Sequence, residues 1–170
     1  LRFRRNFSEG FNMADVLAAE QIFNMTTLND ELIGSLDWVS EEAWTRKPAE
    51  GEWSVAEIVG HVIELEPHWA AMAAELVARP GTEIARELDD PGRLAGPTSG
   101  PGFNPKEART RIAQAGEAAA EILRRVPDSA WAVAGTSHGE KVTVGELVQA
   151  HIVDHVRQHL DQVTSALTLV

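Results

Sequence analysis

The chain has 170 residues, 44% of them hydrophobic, enough for one domain with a substantial core, so neither disulfides nor a second domain is needed for folding. Its 15 Lys and Arg against 26 Asp and Glu give a formal charge of −11, which makes nucleic-acid phosphates and anionic membrane surfaces poor partners. Cysteine is absent, which excludes disulfides, thiolate metal ligands and a protein-borne thiol nucleophile; any metal must rely on His, Asp or Glu.

Residues 1–12 carry Arg2, Arg4 and Arg5 but no apolar run able to form a secretory signal or membrane span. They read as a flexible or non-native leader before a single domain over 13–170, and a cytoplasmic location is expected. Val16, Leu17, Ile22, Phe23, Met25, Leu28, Leu32, Ile33 and Leu36 recur at helical spacing and predict a first amphipathic helix over 14–37. Ser54 followed by Glu57 is a capping box, in which each side chain satisfies a free backbone N–H at a helix start, so a second helix is expected from Val55 to Ala78. Pro67 should lie on its outer side and bend it.

Arg79 to Phe103 holds Pro80, Pro91, Pro97, Pro101 and five glycines, a composition that predicts a long crossover loop. Asn104 then caps a third helix, with Pro105 at the first position, where a missing N–H costs nothing, and Val126 near its end. Thr143 and Glu146 repeat the capping box and open a fourth helix from Val144 to Leu167. There is a weak internal echo: Val39–Trp44 resembles Val126–Trp131, and Ser54–Val59 resembles Thr143–Val148. The expected fold is all-α, a four-helix bundle in up-down-down-up order without credible strands, its long crossover joining helices 2 and 3.

Projected at about 100° per residue, His151, His155, His159 and Gln162 share one face of the fourth helix with Val148, Ile152 and Val163, while Asp154, Arg157 and Asp161 fall opposite. On the second helix His61 lies among Ile58, Leu65, Trp69 and Met72, with Glu57, Glu64 and His68 along one flank. Burying several imidazoles is unfavourable by several kcal/mol unless each finds a partner, and a shared metal supplies one. Depth is compatible: His61 lies roughly 9 Å from the start of its helix, and His159 and His155 roughly 12 and 18 Å from the end of theirs, so antiparallel helices would bring them level.

The segments Trp53–His61 and His151–Val163, in that order, resemble the DinB-like family of four-helix bundles, which includes bacterial thiol transferases and the metal domain of mycothiol-dependent maleylpyruvate isomerase. The resemblance runs over nearly the whole chain after Met13. It implies that His61, His155 and His159 bind the metal, expected to be zinc or nickel, with Gln162 at the family's next position. His151 fits a place often held by histidine just before the pair and is expected to support the ligands. Asp161 departs from the glycine that often precedes the glutamine. His68 reads as a hydrogen-bonded wall residue and His138 as part of a polar loop.

Three neutral ligands leave an ion's double charge intact and coordination positions free, which suits water activation or substrate thiolate binding better than a closed structural site. Whether the chain is an enzyme stays open at this point. The resemblance implies a metal-dependent transferase or isomerase working with a low-molecular-weight thiol such as mycothiol or bacillithiol. A metal-dependent hydrolase, with Glu57 or Glu64 as proton acceptor, and a non-catalytic protein binding metal and small molecule are the alternatives. Trp44, Trp53 and Trp131 are candidates for the cavity wall, with ordinary bundle packing the expected role of at least two of them; the ligand is expected to be a small molecule, and a homodimer is the expected assembly.

Overall fold

A computed structural model describes residues 18–168, so the leader proposed for 1–12 and the start of the first predicted helix lie outside the described residues. Four long helical rods form the core: α1 (Ala18–Ser35), α3 (Val55–Ala78), α5 (Pro105–Arg124), and a last rod built from α6 (Val144–Val148), a π turn (Gln149–Val153) and α7 (Asp154–Thr168). Short helices α2 (Glu41–Thr45) and α4 (Pro91–Ser99) flank them, so the four-helix core sits inside a larger arrangement of six helical rods among the described residues.

Side-chain pairings give the directions. His61 meets His155 and His159 while Trp69, two turns on, meets His151, so α3 and the last rod are antiparallel. Glu66 lies against Gly116, and Ala74 and Ala78 lie beside Ile122 and Val126, so α3 and α5 run parallel. Gln21 near the start of α1 bonds to the Gly145 carbonyl at the start of the last rod.

Local chemistry fixes the helix starts. Both capping boxes form: Ser54 and Thr143 each accept a backbone N–H through the hydroxyl, and Glu57 and Glu146 return bonds to the cap residues. Asn104 caps α5, with Pro105 at its first position. Helix α3 continues through Pro67 without interruption. The core is mainly aliphatic, with Met25, Leu32, Val62, Leu65, Leu76, Ile112, Leu123 and Ile152 fully enclosed and Trp44, Trp69 and Trp131 packed among them.

Two expectations are corrected. The crossover is not a featureless loop: Asp90 caps α4, Pro91 takes its first position, and Gly92, Gly96 and Gly100 recur every fourth residue on the face that lies on α3. Glycine lowers helix propensity, but here it permits backbone-to-backbone approach, and that tertiary packing outweighs propensity. The second correction is a β-hairpin, β1 (Ala134–Ser137) with β2 (Glu140–Thr143). Its turn residues His138 and Gly139 both have positive φ (51° and 81°), as a tight two-residue turn requires. Backbone bonds from Gly81 and Ile84 tie the beginning of the crossover to β1.

Glu66 is fully buried between α1 and α5, where Asn29 Nδ2 donates to Oε2 at 3.1 Å and Oε1 has no partner. Burial pushes its carboxyl up to about 8, against a smaller opposing pull from the Asn29 bond. The folded protein therefore holds a proton that the unfolded chain releases near 4.5. This contribution to stability is fully present below that value and is lost as pH rises through about 8, at a rate of about 1.4 kcal/mol per pH unit within the window. Glu66→Gln keeps the shape without the titration, so its unfolding free energy should lose that downward slope. Parallel pH profiles of variant and wild type in urea unfolding would refute the assignment.

Candidate metal centre

The capping box at Ser54 starts α3 so that His61 falls two turns in, beside Val62 and Leu65, facing the last rod. His61 and His159 are 6% and 4% exposed, and His155 is half-buried. One ligand nitrogen from each of His61, His155 and His159 can be chosen so that all lie within 4.8 Å of one another, and among the described residues no Asp or Glu joins them. The rings meet at centroid distances of 5.0 Å for His61–His159, 5.4 Å for His61–His155 and 4.7 Å for His155–His159.

Electrostatics keep the imidazoles neutral. Burial first, then the neighbouring imidazoles, lower His61 to about 3 and His155 to about 4. Burial also lowers His159, against an opposing pull from Gln162. Neutral imidazole is the form that ligates metal.

His159 Nδ1 lies 2.8 Å from Gln162 Oε1, which fixes the Nδ1–H tautomer and leaves Nε2 bare. That Nε2 and His61 Nδ1 are buried with no hydrogen-bond partner. Orphaned buried nitrogens are costly in a native core. Their presence within one all-imidazole cluster fits a divalent cation, and zinc and nickel both accept such donors.

His151, expected to support the ligands, lines the same side of the rod but lies outside the cluster. The π turn at Gln149–Val153, where the Asp154 N–H reaches back to the Gln149 carbonyl, advances less per residue than the about 100° assumed in an α-helical projection. His151 stacks on Trp69 at 4.0 Å and 14° and stays outside the triad. His68 packs edge-on against the same indole. His138 occupies the hairpin turn.

The carboxylates Glu57 and Glu64 are engaged by other groups. Glu57 Oε2 accepts from the Ser54 N–H and hydroxyl, and Oε1 pairs with Lys47 at 2.9 Å. Burial would raise its pKa, but the Ser54 and Lys47 bonds together hold it below the ordinary value. Glu64 gives both oxygens to Arg86, at 3.0 and 2.6 Å. Arg86, whose side chain is only 6% exposed, also bonds Asp90, the cap of α4, and so fastens the crossover to α3.

A cleft of about 1370 Å³ opens beside His155 and His159, lined by Trp53, Ile58, His151, His155, His159 and Gln162, with Glu52, Asp154, Arg157 and Asp161 also on its wall. Trp53 packs against His61 at 5.2 Å and stacks near His159 at 6.1 Å. Trp44 and Trp131 are buried in the core, the bundle-packing role expected for two of the three tryptophans. Arg86, Arg93 and Glu66 were not singled out from sequence. Glu66 did carry a signal: it follows Val62 and precedes Ala70 at four-residue spacing on a buried stripe.

Fold and site together define an all-α bundle with a three-histidine candidate metal centre between two antiparallel helices. The sequence profile of the DinB superfamily matches residues 25–163, and the chain belongs to that superfamily. Among solved structures it is similar to YfiT from Bacillus subtilis, put forward as a metal-dependent hydrolase with an unusual four-helix bundle topology (TM-score 0.73, 13% identity, 98% of this chain and 92% of that one). It is also similar to the mycothiol-dependent maleylpyruvate isomerase (TM-score 0.67, 15% identity) and to a histidine-to-alanine mutant of that enzyme (TM-score 0.68, 16% identity). In both comparisons 89% of this chain is covered but only 62% of the isomerase, so this chain spans about six-tenths of that enzyme's length. At these identities the likeness establishes the fold. No curated protein matches the chain by sequence. No helix among the described residues is long and apolar enough to cross a membrane.

Proposed function

We propose that this chain holds one divalent ion, zinc or nickel, through His61, His155 and His159 and acts as a transferase or isomerase on a small molecule together with a low-molecular-weight thiol. The observation that carries this reading is a cleft of about 1370 Å³ beside an all-imidazole site. Pockets for a single small ligand ordinarily measure roughly 300–1,000 Å³, so a cleft of this size does not confine the site to one reactant. Mycothiol and bacillithiol are the thiols to test, and the absence of cysteine agrees with a thiol that arrives from outside.

When bound, a divalent ion held by neutral ligands supplies Lewis acidity that favours thiolate over thiol. The chain's own residues prepare the site. Gln162 holds His159 in one tautomer with Nε2 directed away from that bond. Trp53 covers His61 and His159 on the cavity side and gives an incoming ligand an apolar face. His151, clamped on Trp69, stiffens the turn before His155.

The similarity to YfiT over nearly the whole of both chains favours a second reading, metal-dependent hydrolysis. Against it, the oxygens of Glu57 and Glu64 are all engaged, so neither is free to accept a proton from water. Metal-dependent turnover of an electrophile only when mycothiol or bacillithiol is added is the expected result. Thiol-independent cleavage of simple esters at an equal rate would replace this reading with the hydrolytic one.

A further inference from the structure

Of the three imidazoles, His155 and His159 reach the lining of the cleft and His61 does not. His61 Nδ1 is buried, so an ion bound for it must pass the side chains that stand between that ring and solvent. Trp53 is the aromatic side chain outside the triad that touches two of its rings, edge-on to His61 at 5.2 Å and stacked near His159 at 6.1 Å and 23°. It is also part of the cleft lining and 37% exposed, so one side chain joins the buried rings to the open cleft. Ile58, one turn before His61 and likewise in the lining, is by contrast buried in the core.

The segment that carries the indole is lightly held. Residues 46–53 connect α2 to α3, and among the described residues no backbone hydrogen bond joins 47–53 to another element. Inside the segment the Glu52 N–H bonds the Ala49 carbonyl at 3.2 Å, and Lys47, largely exposed, pairs with Glu57. Gly51 turns the chain at a φ of 81°, with nothing within 4 Å of the place a Cβ would take. The segment thus closes over the triad through the Trp53 ring rather than through backbone pairing. Segments held in this way open at low free-energy cost. Outside it, the carboxylates of Glu52, Asp154 and Asp161 stand against Arg157 alone and concentrate cations in the cleft.

We infer that Trp53 is the door of the metal centre: its indole sets how fast a divalent cation enters and leaves the site of His61, His155 and His159, and contributes little to how tightly the ion is held. This rests on the metal-site reading above. The indole nitrogen is a hydrogen-bond donor only and offers no lone pair to a metal, so removing it leaves all three ligand nitrogens in place. A ring that must be displaced on the way in and on the way out slows both passages by the same factor, and the ratio of the two rates, which is the affinity, stays as it was.

The test follows zinc by stopped flow in the full chain, entry with a chromophoric indicator and release into excess chelator, for wild type, Trp53→Ala and Trp53→Phe. Trp53→Ala should speed entry and release alike by about tenfold, as loss of two aromatic contacts implies, with the equilibrium affinity and helical spectrum unchanged. Trp53→Phe, which keeps part of the cover, should fall between. Rates indifferent to Trp53 overturn the inference while the metal site stands. Faster release with unchanged entry also overturns it, because the indole would then hold the ion rather than admit it. A wild type that binds no zinc removes the metal-site reading and this inference with it. A second measurement needs no metal: modification of His61 by diethyl pyrocarbonate in the metal-free protein, located by peptide mass, should be faster in Trp53→Ala, with the exposed His138 as internal control. Equal modification of His61 in the two proteins would contradict a covering role for the ring.

Discussion

His159→Ala is expected to lower affinity for zinc or nickel by more than about a hundredfold, because loss of a residue that merely orients a ligand already costs about 10- to 100-fold. The substitution deletes a nitrogen that is buried, unpartnered and held in one tautomer by Gln162. Helical content should persist, since the rods are held by Leu65, Leu76, Ile112, Leu123 and Ile152 rather than by the triad. His61→Ala and His155→Ala should behave alike. Gln162→Ala should fall in the smaller range, and His151→Ala should matter least, because that ring is committed to Trp69. Competition against a chelator of known affinity measures the series. Equal loss from His151→Ala and none from His155→Ala would overturn the assignment.

Gly60→Ala is expected to destabilise the fold by about 2–3 kcal/mol, the upper part of the usual range for overpacking. A Cβ at Gly60 would meet the Gly96 carbonyl oxygen and would lie 2.8 Å from the Gly100 nitrogen and 2.9 Å from its Cα. All three are backbone atoms, so no side chain can turn aside and α4 itself must move. Gly34 in α1 provides the control, because a Cβ there meets nothing within 4 Å and Gly34→Ala should stabilise by up to about 1 kcal/mol through helix propensity. Urea unfolding of both variants reads the difference. A neutral Gly60→Ala would mean that α4 is not seated on α3 as described.

Much of this architecture is written in local signals. The capping pairs Ser54–Glu57 and Thr143–Glu146 place two helix starts to the residue, and Asn104–Pro105 places a third. The inward-facing histidines, His151 among them, were legible because polar rings recurred on otherwise apolar stripes, and the choice of His61, His155 and His159 from that set came from the family resemblance. What sequence missed depends on contacts between distant segments. Gly92, Gly96 and Gly100 look like loop residues until the α3 backbone is set against them. The hairpin at Ala134–Thr143 is two four-residue strands joined by His138–Gly139, too short for a period-two pattern to register. The π turn at Gln149–Val153 cannot be seen in a projection that assumes uniform α-helical advance. Glu57 and Glu64 carried no sequence mark of their partners Lys47 and Arg86, which lie in other elements.

Metal content together with the ligand set of the bound ion tests the central claim most directly. Purified protein loaded with zinc or nickel and freed of excess should retain one equivalent, and X-ray absorption should show a first shell containing three imidazole nitrogens and no sulfur from the chain. That shell should lose one imidazole in His159→Ala and none in His151→Ala. A protein that retains no metal, or a first shell unchanged by His159→Ala, would contradict a three-histidine centre at His61, His155 and His159.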